Sequence, residues 1–109
     1  MKNLLFFGDL ASPDEFCSKQ LLESMKANAD IFANTALMGN FEGMVANIST
    51  NTPTPILFNH PSVLEALNFA NTAAVSLSNN HTLDLPRQFD QTTKLLADNN
   101  IAYCGAGKS

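Results

Sequence analysis

Ser78, Asn79, Asn80 and His81 stand directly after the apolar run Ala73-Ala74-Val75-Ser76-Leu77, with Asp84 three residues beyond the histidine. Amide and imidazole groups can ligate a metal ion or bind and protonate a phosphate, whereas a plain turn would more often use Gly, Pro or Asp. Two carboxylates are placed in the same manner. Asp9 follows Gly8 at the close of Asn3-Leu4-Leu5-Phe6-Phe7, and Glu42 follows Asn40-Phe41 after an apolar segment ending at Met38. A mixture of carboxylate, amide and imidazole suits Mn²⁺, Mg²⁺, Fe or Zn²⁺ without selecting among them. Each residue also has an ordinary reading. The amides would cap a helix beginning near Pro86, Asp9 would serve a turn, and Glu42 would be a solvated loop charge.

The elements that must position these groups alternate between strand and helix. Asn3 to Phe7 reads as a buried strand. Ser12-Pro13-Asp14-Glu15 predicts a helix start, with Ser12 as cap, Pro13 in the first turn and Glu15 completing a capping box. Phe16, Leu21, Leu22 and Met25 give that helix an apolar face, and Asn28 to Asp30 ends it. Ile31 to Met38 reads as a second strand. Residues 47–55, dense in Asn, Thr, Ser and Pro, read as a loop leading to Ile56-Leu57-Phe58. A helix starting near Pro61 turns Val63, Leu64, Leu67 and Ala70 inward, and a strand over Ala73 to Ser78 follows. Pro86 opens a further helix with Phe89, Leu95 and Leu96 apolar, and Ile101 to Cys104 makes a last short strand. This alternation predicts an α/β domain, a parallel or mixed sheet flanked by helices. Parallel strands bring their carboxyl ends to one edge, so Asp9, Asn40, Glu42, Asn79, Asn80 and His81 converge there.

Bulk properties narrow the classes. A chain of 109 residues, 45% hydrophobic and 15% charged, makes one modest domain, burying roughly two-thirds of its unfolded surface. A net charge of −4 with six scattered basic residues argues against broad nucleic-acid binding, which needs clustered Lys and Arg. Leu4-Leu5-Phe6-Phe7 is too short for a signal peptide, and no apolar stretch approaches the ~20 residues of a membrane span. Cys17 and Cys104 lie far apart with no CxxC spacing and read as buried thiols in a reducing cytoplasm. The eight Phe residues read as packing. His60, before Pro61, reads as flanking a helix. Gly105-Ala106-Gly107-Lys108-Ser109 fails as a phosphate loop, because Ala102 stands where the first Gly is required and no helix follows.

With these residues in view, the sequence resembles the bacterial capsule-synthesis family, the CapA-type poly-γ-glutamate synthesis proteins with the calcineurin-like metallophosphoesterase fold. Its strand ending in Gly-Asp is matched by Phe7-Gly8-Asp9, and its Ala-Asp-hydrophobic segment by Ala29-Asp30-Ile31. Its Asn-hydrophobic-Glu is matched by Asn40-Phe41-Glu42-Gly43. The most specific block, Asn-Asn-His-x-x-Asp with serine ahead of it, stands within Ser76-Leu77-Ser78-Asn79-Asn80-His81-Thr82-Leu83-Asp84. Thr93-Lys94-Leu95-Leu96 and Gly105-Ala106-Gly107 complete the order.

The resemblance implies roles. Asp9 and Glu42 would be ligands of a divalent metal, Asn80 a ligand at the second metal position, and His81 the group that contacts or protonates a phosphate leaving group. Asn40, Asn79 and Asp84 would support them. The substrate class would be a phosphorylated small molecule or exopolymer precursor. No His follows two after Asp9, so one ligand usual in metallophosphatases is absent, and Leu85-Pro86 stands where the family has Gly. Family members continue past the Gly-Ala-Gly turn with further His motifs. The chain is therefore expected to be the amino-terminal part of a larger domain, inactive alone, self-associating and exposing sheet edge and apolar surface. An alternative expectation is a noncatalytic α/β interaction module in which the Asn-Asn-His loop is structural.

Overall fold

Three helix-to-strand turns use one device. Asn34, Asn71 and Asn100 each adopt the left-handed conformation, with φ of 57°, 57° and 58°, at the end of a helical segment and just ahead of a strand. Asn tolerates this region because its short polar side chain can bond locally. The computed structural model describes residues 3–47, 56–79, 81 and 84–105. Between the turns run β1 (Asn3–Leu10), α1 (Glu15–Ala27), α2 (Ala29–Phe32), β2 (Thr35–Phe41), β3 (Met44–Val45), β4 (Phe58–Asn59), α3 (Val63–Phe69), β5 (Thr72–Ser76), α4 (Phe89–Asp98) and β6 (Ala102–Cys104). A 3₁₀ turn, Pro86–Gln88, leads into α4.

The main sheet is wholly parallel, in the order β1-β2-β5-β6, and β3 and β4 form a second parallel pair. This is the α/β architecture that alternation predicts. Phe7 pairs with Gly39, but the next partners are Asp9 and Asn40, so Gly8 is an extra residue in β1. The core gathers Phe41, Met44, Val45, Val63, Leu67, Val75, Leu77, Leu96 and Ile101. A second cluster joins Met25, Leu37, Ala66 and Ala70 to Leu5, Phe7, Leu21 and Leu22. Leu4 and Phe6 alternate to the other face of β1, where they are 60% and 73% exposed. All-parallel sheets are normally covered on both faces, so exposed apolar surface is present as expected.

Several local expectations are corrected. The α1 cap is Asp14, whose Oδ1 accepts from the Cys17 N–H at 2.7 Å. Ser12 is buried, its hydroxyl bonded to that of Ser18 at 2.8 Å and its N–H given to Asn59 Oδ1. Ile31 belongs to the short helix α2, and the strand begins only at Thr35 and continues through Asn40 and Phe41. Phe16 lies on the outer side of α1, 69% exposed, because Ser18, Leu21, Leu22 and Met25 turn inward. Cys17 and Cys104 are free but exposed, one on that outer helix surface and the other on edge strand β6.

Candidate functional site

The polar groups at the carboxyl ends of β1, β2 and β5 are linked in one chain of hydrogen bonds, with Asn40 as its hub. Asn40 Nδ2 donates to Asp9 Oδ1 at 2.6 Å and to Glu42 Oε2 at 2.5 Å. Asn40 Oδ1 accepts from Asn79 Nδ2 at 3.1 Å, and the same Nδ2 donates to the Phe41 carbonyl at 2.8 Å. Asn79 Oδ1 in turn accepts the His81 N–H at 3.0 Å and the Gly43 N–H at 3.4 Å. His81 Nδ1 meets Asp84 Oδ2 at 2.6 Å, and that oxygen also accepts the Leu57 N–H at 3.0 Å.

Thus Asp9, Asn40, Glu42, Asn79, His81 and Asp84 are brought into one network from opposite ends of the sequence. Asn80, with Thr82 and Leu83, lies outside the described residues, as do the last four residues of the Gly-Ala-Gly turn region. The ordinary readings of three members give way. Asp9 sits within β1 opposite Asn40 instead of in a turn. Glu42 is only 6% exposed, so it is no solvated loop charge. Asn79 spends its bonds on β2 and His81, and neither the 3₁₀ turn nor α4 has a side-chain cap.

Local backbone explains how Glu42 comes to be buried. Its N–H donates to the Leu10 carbonyl at 2.9 Å, and its carbonyl accepts from Asn59 Nδ2 at 2.9 Å. A buried carboxylate must be hydrogen-bonded to be tolerated, and Asn40 supplies that bond. Gly43 then turns the chain at φ +77°, where a Cβ would collide with the Leu57 carbonyl. Only glycine combines this φ with such close backbone approach.

Charge is set locally on the histidine side. The Leu57 N–H, and after it the His81 side chain, hold the Asp84 carboxyl below the usual carboxylate range. Asp84 therefore remains an anion against His81 Nδ1, which leaves Nε2 as the ring nitrogen for a ligand. His60, as expected, flanks its helix. Its Nδ1 accepts the Ser62 N–H at 3.2 Å and pairs with the Ser62 hydroxyl at 2.7 Å.

Residues 4–109 match the family model described as bacterial capsule synthesis protein PGA_cap. The chain belongs to this family. Its function is accordingly one related to bacterial capsule synthesis, and the match runs through every segment of the network just described. Comparison with curated proteins and with solved structures gives no match.

The donor set suits a divalent cation in part. Asp9 and Glu42 offer hard carboxylate oxygens to one point, where the electropositive Asn40 Nδ2 now stands between them. Among the described residues no group of three or more His, Cys, Asp or Glu is gathered closely enough to hold an ion. Sequence reading passed over Asn59, which is fully buried and bonds to Leu10, Ser12 and Glu42. The available signal was slight: an amide closing the apolar run Ile56-Leu57-Phe58.

Proposed function

We propose that Asp9 and Glu42, together with Asn80, hold a divalent cation (Mn, Fe, Zn or Mg) in a site for phosphoester hydrolysis serving capsule synthesis. The observation that carries this reading is the meeting of the two carboxylates on the single Asn40 amide. When bound, such a cation supplies charge for phosphoryl oxygens and polarises water. The chain's own contribution beside it is acid catalysis. His81 Nε2 hands a proton to the departing oxygen, and the Asp84 anion on Nδ1 orients the ring. The substrate is a phosphorylated small molecule or exopolymer precursor.

Calorimetric titration of the chain with Mn²⁺ and with Zn²⁺ tests the reading. Micromolar binding to the wild type that disappears in Asp9→Ala is expected, and a wild type that binds neither ion would overturn it. A second reading, a noncatalytic α/β module, is favoured by Asn79, whose side chain is spent on tying the loop to β2. It requires that neither Asp9→Ala nor His81→Ala alter any metal response.

A further inference from the structure

We infer that Asn59 is the positioning residue of the carboxylate pair, an inference that rests on the metal-site reading above. Its side chain is completely buried, and each of its bonds goes to backbone beside an acidic residue or leading away from one. Nδ2 donates to the Leu10 carbonyl at 3.2 Å and to the Glu42 carbonyl at 2.9 Å, while Oδ1 accepts the Ser12 N–H at 2.8 Å. Leu10 adjoins Asp9, and its carbonyl also receives the Glu42 N–H. Leu10 and Glu42 are therefore joined twice, once directly and once through Asn59. Beyond the β1–β2 ladder, this amide ties together the segments that carry the two carboxylates.

The residue type follows from the bonding. One planar group must provide two N–H donors and an acceptor, which Asn can do at this length and Asp cannot. Asp would turn a carboxylate oxygen toward two carbonyls. Leu would fill the volume but take away the partner of the Glu42 carbonyl and of the Ser12 N–H, leaving the Leu10 carbonyl with the Glu42 N–H alone. Thr92 offers an internal comparison. It too is fully buried, and its Oγ1 accepts the Val45 N–H at 2.9 Å, a bond to β3 instead of to the Leu10 and Glu42 carbonyls.

The test uses the whole 109-residue chain, Mn²⁺ alone as probe, and a temperature at which each variant is folded. Asn59→Asp and Thr92→Val should both lower the thermal midpoint. Only Asn59→Asp should weaken Mn²⁺ binding, by at least about tenfold, the equivalent of ~1.4 kcal/mol. Only Asn59→Asp should also move the Asn40 side-chain amide resonances of the metal-free protein. Mn²⁺ affinity and Asn40 resonances like the wild type's in Asn59→Asp would overturn the inference. Should that variant fail to fold, Asn59→Ser, which keeps a hydroxyl in the site, carries the same two readouts. A wild type that ignores Mn²⁺ defeats the metal reading alone, and the Asn40 resonances then decide on Asn59.

Discussion

Glu42 and His81 reach the same edge of the sheet, yet they are held there differently. Glu42 is clamped through its backbone on both sides, by Leu10 and by the buried Asn59, and its side chain rests on Asn40. His81 is held through side chains, its N–H on Asn79 and its ring on Asp84, and among the described residues its carbonyl accepts the Asp84 N–H. Backbone bonds inside a packed core resist single substitutions, while a loop fastened by two side chains depends on each. The carboxylate half should therefore behave as part of the fold, and the histidine half as a separable attachment.

The largest expected effect comes from removing what the halves share. Phe41 is fully buried between Asn40 and Glu42, and its carbonyl receives Asn79. Phe41→Ala should cost about 3–5 kcal/mol in chemical denaturation and disturb both halves, and a loss confined to one would break the comparison. Asn79→Ala should cost about 2 kcal/mol. It should shift the His81 amide resonance while leaving that of Glu42 in place, and equal movement of both would show that the halves are not separable. Asp84→Asn should have the smallest effect, no more than about 1 kcal/mol at neutral pH, and its pH dependence sharpens the assignment. Because the Asp84 carboxyl is depressed in the folded chain, its contribution is complete above the ordinary carboxylate pKa and is lost as pH falls through the lower folded value. Thermal midpoints of wild type and Asp84→Asn, followed downward from pH 7, should converge only below about pH 4.

The alternation of helices and strands was legible because apolar periodicity and helix-start residues such as Pro61 and Pro86 are local signals. So was the convergence of Asp9, Asn40, Glu42, Asn79 and His81, since parallel strands carry their ends to one edge. What escaped depends on distant partners. Ser12 has the right type and spacing for a cap, but Ser18 and Asn59 claim it, and Asp14 caps instead. Phe6 and Phe16 have core-like spacing, yet spacing cannot say which face of a sheet or helix is covered. Glu42 looks like any loop charge until Asn40 and Asn59 are folded around it.

The extra residue in β1 works as a phase shifter. In an unbroken ladder Gly8 would stand opposite Asn40 and Asp9 opposite Phe41, so the acid would share the side of the strand that Phe41 turns into the core. Inserting one residue moves the pattern by half a period. Asp9 now stands opposite Asn40, and Leu10 takes the place opposite Phe41, packed against the core cluster. The order acid-then-leucine in Gly8-Asp9-Leu10 is compatible with the fold only in this shifted phase. Gly8 itself has open space where a Cβ would project, so the shift depends on the number of residues in β1 and not on the bareness of the one added.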